Sequence, residues 1–399
     1  MTKISPRTSP SLLRQISYAL PVLLALLTIT AGASPAEDRS TPADPSKPGF
    51  LVNSKFGGQI LGYDIDQSGT EGLLSEFVAQ SSGGSSVVAT ETFDQATGKI
   101  LKVVAKKTNT QDDYVTEGIL GNHLALVMFE HELSLFHVQR HFHTMLPFTA
   151  NKFTGVWAPP LTKGNLLGAI GRTQSSDNIA VLELPPSAAV PLVYSSNVAD
   201  NTFGPKISLQ PIFNNGEFSF PLIVMDSKTN QAVLSASFGC RTCAPKIATV
   251  NLTSGKIDEF TGLGFGLTNG LAVDPASGMA CTTTEIDFSV EFYNLKKHSG
   301  IIVTLPGAGG QLQSGEDVEF DPIHHLFLVG QYTSTGNIND PQPRIYVYDE
   351  HGNLKNTVTG LQRIPIGGAI MIINPAKRTG FIPLVGTDFT VTQLQSFTY

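Results

Sequence analysis

GLTNGLAVDPASGMACTTTE, residues 266–285, has an apolar strand, a turn opened by Asp274-Pro275 and a second apolar strand. Two later stretches repeat that outline: GEDVEFDPIHHLFLVGQY (315–332) and IGGAIMIINPAKRTGFIPLVG (366–386), with Asp321-Pro322 and Asn374-Pro375 in register. Upstream, FPLIVMDSKTNQAVLSASFG places Asp226 in the same role, and VVATETFDQATGKILKVVAKK places Asp94 there. The spacings from Asp226 to Asp274, Asp321 and Asn374 are 48, 47 and 53 residues. Asp and Asn open such turns because their side chains bond nearby backbone N–H groups, while Pro fixes φ beside them.

A second kind of segment follows each of these hairpins. It is seen as KIATVNLTSGKIDEF (246–260), VEFYNLKKHSGIIVTL (290–305) and RIYVYDEHGNLKNTV (344–358), and NIAVLELPPSAAVPLVY (178–194) and QILGYDIDQSGTEGLLSEF (59–77) read the same way. Four antiparallel strands in a period of about 50 residues make a propeller blade. The expected fold is therefore an all-β propeller over 49–399. Its expected count is seven blades with six as the alternative, and a pair of β-sandwiches is the competing architecture. Residues 49–79 read as the second to fourth strands of a blade and 365–399 as the first to third, so closure between the two ends of the ring is expected.

Composition agrees with many short strands and tight turns: 38 Gly and 25 Pro against 15% charged residues. A net charge of −7 without any basic run argues against a nucleic-acid partner. At the N-terminus, Lys3, Arg7 and Arg14 precede YALPVLLALLTITA and the small residues Ala31, Gly32 and Ala33, which reads as a secretory signal peptide over 1–33. SPAEDRSTPADPSKP (34–48) reads as a disordered leader. These features predict a secreted or periplasmic monomer with no membrane span after cleavage.

At TNGLAVDP the chain resembles gluconolactonase-like and NHL-type propellers, and the resemblance extends over the C-terminal blades. It implies calcium in the central channel, held by Asn269 and, one blade later, by Glu316; Asp317, beside Glu316, joins them as a ligand-binding candidate. Asn269-Gly270 also fits a turn entering the innermost strand, where both residues tolerate positive φ. The alternating His137, Gln139, His141 and His143 offer imidazoles for a metal, but also fit the polar face of an outer strand. Of the three cysteines, Cys240 and Cys243 in GCRTCAP are expected to form a disulfide and Cys281 to lie buried and free. No Gly-x-Ser-x-Gly elbow, His-Glu-x-x-His or phosphate loop is present. The expected function is thus an exported propeller that binds a small ligand or protein partner at one face of the ring. The alternative is a calcium-dependent, lactonase-like hydrolase with its site at the channel.

Overall fold

A strand buried on both faces needs sheets on either side, and a closed ring of radial sheets supplies them without a separate core. The computed structural model describes residues 45–399 apart from 48, 79–85, 109–111, 120–123, 132–144, 150–151, 154–165, 173–176, 185–189, 213–218, 227, 238–245, 262–267, 285–288, 307–311, 334–342, 363–370 and 386–390. Some strands are described by backbone alone.

A short strand, β1 (Leu51–Asn53), precedes the first sheet, which contains β2 (Gln59–Ile65), β3 (Glu71–Val78), β4 (Val87–Asp94) and β5 (Ile100–Thr108). The second holds β6 (Asp112–Ile119), β7 (Leu124–His131), β8 (Met145–Thr149) and β9 (Lys152–Phe153). Then come β10 (Leu166–Arg172), β11 (Asn178–Leu184), β12 (Leu192–Asn197), β13 (Thr202–Phe203) and β14 (Ile207–Ser208). The next sheets are β15 (Ser219–Asp226), β16 (Gln231–Ser237), β17 (Lys246–Asn251) and β18 (Ile257–Thr261), and β19 (Thr268–Asp274), β20 (Met279–Thr284), β21 (Ser289–Asn294) and β22 (Ser299–Thr304). β23 (Leu312–Asp321), β24 (Leu326–Thr333), β25 (Arg344–Asp349) and β26 (Leu354–Val358) follow, and β27 (Ile372–Asn374), β28 (Thr379–Val385) and β29 (Val391–Thr398) end the chain, with β1 added to them as the outermost strand.

Each sheet is antiparallel and runs outward in chain order, and its first strand touches the first strand of a neighbouring sheet, as β19 touches β15 and β23 and as β27 touches β2. The cores lie between sheets: Phe292, Phe320, Phe327 and Tyr348 pack the β19–β22 sheet on β23–β26, and Leu74, Phe93, Phe381 and Leu394 close the last sheet on the first.

The described strands form seven sheets: six have four strands, and β10–β14 has five because β13 and β14 divide its outer edge and both pair with β12. Two corrections to the sequence reading follow. The N-terminal register moves by two strands. Asp94 opens the β4–β5 turn, whereas Asp66 opens the first hairpin, so 59–77 is β2–β3 and only β1 crosses to the last sheet. Likewise 178–194 supplies the second and third strands of its sheet, not the third and fourth.

The physical reason for the register error is that both hairpin turns of a blade use one chemistry. Asp94 Oδ1 accepts the N–H groups of Ala96 and Thr97, and Asp274 Oδ1 accepts that of Ala276 while Ser277 Oγ donates to its Oδ2. Asn251 does the same in the β17–β18 turn. A residue late in such turns takes φ between 51° and 77°, as in Gly69, Gly98, Asn230, Gly278, His325, Gly352 and Arg378. A turn motif shared by both hairpins cannot by itself say which hairpin it belongs to.

Candidate interaction face

Alternation of strand direction sends the two kinds of connection to opposite faces of the ring. First-to-second and third-to-fourth strand turns take two to five residues and share one face. Second-to-third strand loops and the links between sheets share the other, and every connection longer than five residues between the described strands leaves from there.

At the short-turn face, side chains bond across three of the seams between sheets. His325 Nδ1 lies 3.2 Å from Asp274 Oδ2 of the preceding sheet, Tyr399 Oη donates to Asp321, and Asn374 Nδ2 reaches Gln95 of the first sheet. Gln67 Nε2 donates to the Ile373 carbonyl and Lys377 Nζ to that of Gly69. Burial works to raise the Asp274 carboxyl, but bonds from Ser277 and the Ala276 N–H, with His325 nearby, outweigh it and hold it below the ordinary value.

At the long-loop face, buried polar side chains grip the links that carry the chain from one sheet into the next. Glu76 accepts the Phe56 and Gly58 N–H groups at 3.0 and 2.8 Å, and Glu91 accepts that of Lys55 at 2.9 Å, fixing the link 54–58. Tyr346 Oη, with its single hydrogen set between two acceptors, lies 3.0 Å from the Pro306 carbonyl oxygen and 2.9 Å from Gln331 Oε1, fixing the link into β23. Gln395 accepts the Gln362 N–H and donates to the Gly360 carbonyl, fixing the link into β27. Glu76, Glu91, Gln331 and Gln395 are buried. Two acids so close cannot both ionise cheaply. Burial, opposed by the Lys55 N–H and reinforced by the Glu76 carboxyl, pushes Glu91 up to about 7. Beside this pair, Phe56 lies under the Lys106 Nζ at 4.5 Å and the Lys55 Nζ at 5.8 Å.

The inner strands begin at the same face. In four sheets a bulge falls near that beginning, leaving one inner-strand residue unpaired: Leu61, Gly168, Asn269 and Glu316. Asn269 and Glu316 therefore hold equivalent register positions in consecutive sheets; their side chains lie outside the described residues. Asp317 is described. Its Oδ1 accepts the Val318 N–H, its Oδ2 accepts the Met371 N–H of the next sheet, and burial raises its carboxyl to about 7 against those two donors. Both oxygens of this candidate ligand are thus engaged, Oδ1 within β23 and Oδ2 in joining it to the last sheet.

Gly270 does not take positive φ. It is needed for another reason: a Cβ there would stand 2.6 Å from Val318 N and 2.8 Å from Asp317 C on the adjacent inner strand.

Among the described residues no group of three or more His, Cys, Asp or Glu is placed to hold a metal ion. His137, Gln139, His141, His143, Cys240, Cys243 and the segment 1–43 lie outside the described residues. Cys281 is buried and free, and burial with the Glu291 charge raises its thiol well above the ordinary value. No helix of the described residues is long and apolar enough to cross a membrane. Sequence reading missed the Glu76–Glu91 pair. Its only signal was two acids at buried positions of otherwise apolar strands.

The ring of radial antiparallel sheets defines the chain as a β-propeller. No family model and no curated protein matches it. Solved propellers do. A chain of a mitotic checkpoint complex is similar with a TM-score of 0.55 at 10% identity, over 90% of this chain and 95% of that one. The Dos1 propeller is similar at 0.55 and 9%, over 89% and 96%. The propeller domain of Cps50 (Swd1) from Myceliophteria thermophila is similar at 0.54 and 9%, over 89% and 100%.

The likenesses are of fold, at 10% identity or less, and do not select the gluconolactonase-like and NHL-type families, whose labels are withdrawn. Nor do they support the secreted or periplasmic placement, which is withdrawn as well.

Proposed function

We propose that the protein is a scaffold that docks a protein partner on its long-loop face. One observation carries this reading: every connection longer than five residues between described strands emerges on one face, while the other carries only short turns, bonded across three of the seams. Binding loops concentrate where a rigid framework can present varied connections. The buried grips of Glu76, Glu91, Tyr346 and Gln395 set where those links leave the ring, a positioning task that requires no reacting group. Phe56 with Lys55 and Lys106 adds an aromatic and cationic anchor suited to an acidic partner segment. The similar structure from a mitotic checkpoint complex is itself part of a protein assembly.

The test is site-specific photo-crosslinking in cells. A photoreactive residue at Lys55 or Gln362 should capture a partner, whereas one at Ala276 or His351, exposed on the short-turn face, should not. Equal capture from both faces, or capture only from Ala276 and His351, would refute the assignment.

A further inference from the structure

A carboxyl group enters an apolar seam only at a cost, and Glu76 and Glu91 stand together in one. Glu91 pairs with Leu74 and Glu76 with Ala89, so the two acids are diagonal neighbours on the face that packs against the last sheet. Their three N–H donors, from Lys55, Phe56 and Gly58, all belong to the link that carries β1 into β2. Ser54 Oγ donates to the Gly58 carbonyl at 3.4 Å, holding the two ends of that link together. A Cβ at Gly58 would stand 2.4 Å from the Phe77 carbonyl oxygen, so the link is pressed onto β3. Glu91 Oε1 takes no hydrogen bond among the described residues.

We propose that this pair is a proton-operated clasp: with one proton shared between the carboxyls the link 54–58 stays closed, and with both ionised it lifts from the seam and carries Phe56 out of place. The clasp rests on the docking reading above and regulates the same site, because Phe56 with Lys55 and Lys106 is the anchor of that face.

Few charges are placed to relieve the pair. Facing Glu91 are Glu76 from β3, Lys106 from β5 and Lys55 from the link. Asp64, Glu71, Asp94, Lys102 and Lys107 lie on the opposite face of the sheet, and β1, β27, β28 and β29 carry no charged residue. Two adjacent anions in such a seam are relieved most cheaply by water, which reaches them when the link lifts. With the link closed, burial outweighs the Lys55 N–H and Glu91 titrates at about 7; with the link open and water admitted, it returns toward its ordinary 4.5. The open state then binds fewer protons between those values, so opening is favoured by up to about tenfold per pH unit in that window and levels off above it. The clasp is tight in acid and slack at neutral pH.

Hydrogen exchange of the full chain from pH 5 to 8, corrected for the intrinsic pH dependence of amide exchange, tests this. It needs no partner, so it separates the clasp from the docking reading, which photo-crosslinking tests. Protection at Lys55, Phe56 and Gly58 should fall by up to about tenfold per pH unit as far as about 7 and then level, while β19–β21 keeps its protection. Glu91→Gln, which cannot ionise and keeps an acceptor for the Lys55 N–H, should hold those three amides at one protection throughout. A flat profile in the unaltered protein, an equal fall in β19–β21, or a fall in Glu91→Gln as steep as in the unaltered protein would each overturn the clasp.

Discussion

Gly270 and Glu91 show how one residue can be fixed by another blade. Because a Cβ at 270 would meet backbone atoms of β23 rather than a flexible side chain, Gly270→Ala must push two inner strands apart. Overpacking of this kind costs about 1–3 kcal/mol, and chemical denaturation should show a lower midpoint with a similar slope. An unchanged midpoint would mean that the blades are not in that contact. Glu91 makes a pH prediction. Its folded value of about 7 exceeds the ordinary 4.5, so the folded state binds the extra proton between these values and stability falls as pH rises through that window. The shift corresponds to a loss of about 3 kcal/mol. Glu91→Gln, which keeps an acceptor for the Lys55 N–H, should flatten the fall in melting temperature from pH 5 to about 7. Asp317 titrates in the same window and will leave a remainder. A slope identical to that of the unaltered protein would show that Glu91 is not the group responsible.

Hairpin turns are the elements most legible in the sequence, because an Asp or Asn that bonds N–H groups two and three residues ahead acts wholly within its own turn. DPASG and DPIHH announce their structure without help from the rest of the chain. The order of hairpins within a blade was not legible, since DQATG makes the same bonds in a β4–β5 turn that DPASG makes in a β19–β20 turn. Nor were the clasps on the sheet-to-sheet links, whose partners stand 20 and 36 residues apart at Glu76–Phe56 and Glu91–Lys55. Asp274 is the element whose loss should be felt beyond its turn, for it also meets His325 in the next sheet. Asp274→Ala should cost about 1–3 kcal/mol by orphaning those donors, and Asp274→Asn, which keeps an acceptor, should cost less. Its lowered carboxyl stabilises the fold above the unfolded value, and that contribution disappears as pH falls through the folded value. In acid melts, the Ala variant should therefore converge on the unaltered protein; a gap that persists undiminished at low pH would assign its cost to packing instead.

The ring as a whole depends on β1, a strand of three residues. It is the piece of the last sheet that comes from the start of the propeller, and it pairs Leu51, Val52 and Asn53 with Gln395, Leu394 and Gln393. Ser396 donates to the Phe50 carbonyl beside it, and Gln393 Nε2 bonds Asn53 Oδ1. Closure between the termini was readable from the incomplete blade at each end of the sequence. That a single strand performs it was not, because QILGYDI has the alternation of an outer strand as much as of an inner one. Val52 is fully buried between the last sheet and the first, against Leu74, Phe93 and Leu394. Val52→Asp puts an unpaired carboxylate there, which a buried apolar site does not tolerate, and it leaves the other sheets' own contacts intact. The ring should therefore open at this seam. Hydrogen exchange should rise first in β27–β29 and in β2–β3, while the β15–β22 sheets, on the far side of the ring, keep their protection until global unfolding. Val52→Ala, which removes two methyl groups and adds no charge, should lower stability by about 1–3 kcal/mol without that selective opening. Uniform loss of protection in Val52→Asp would mean that the ring melts as one unit, and unchanged exchange at β27–β29 would mean that β1 is not the closing strand.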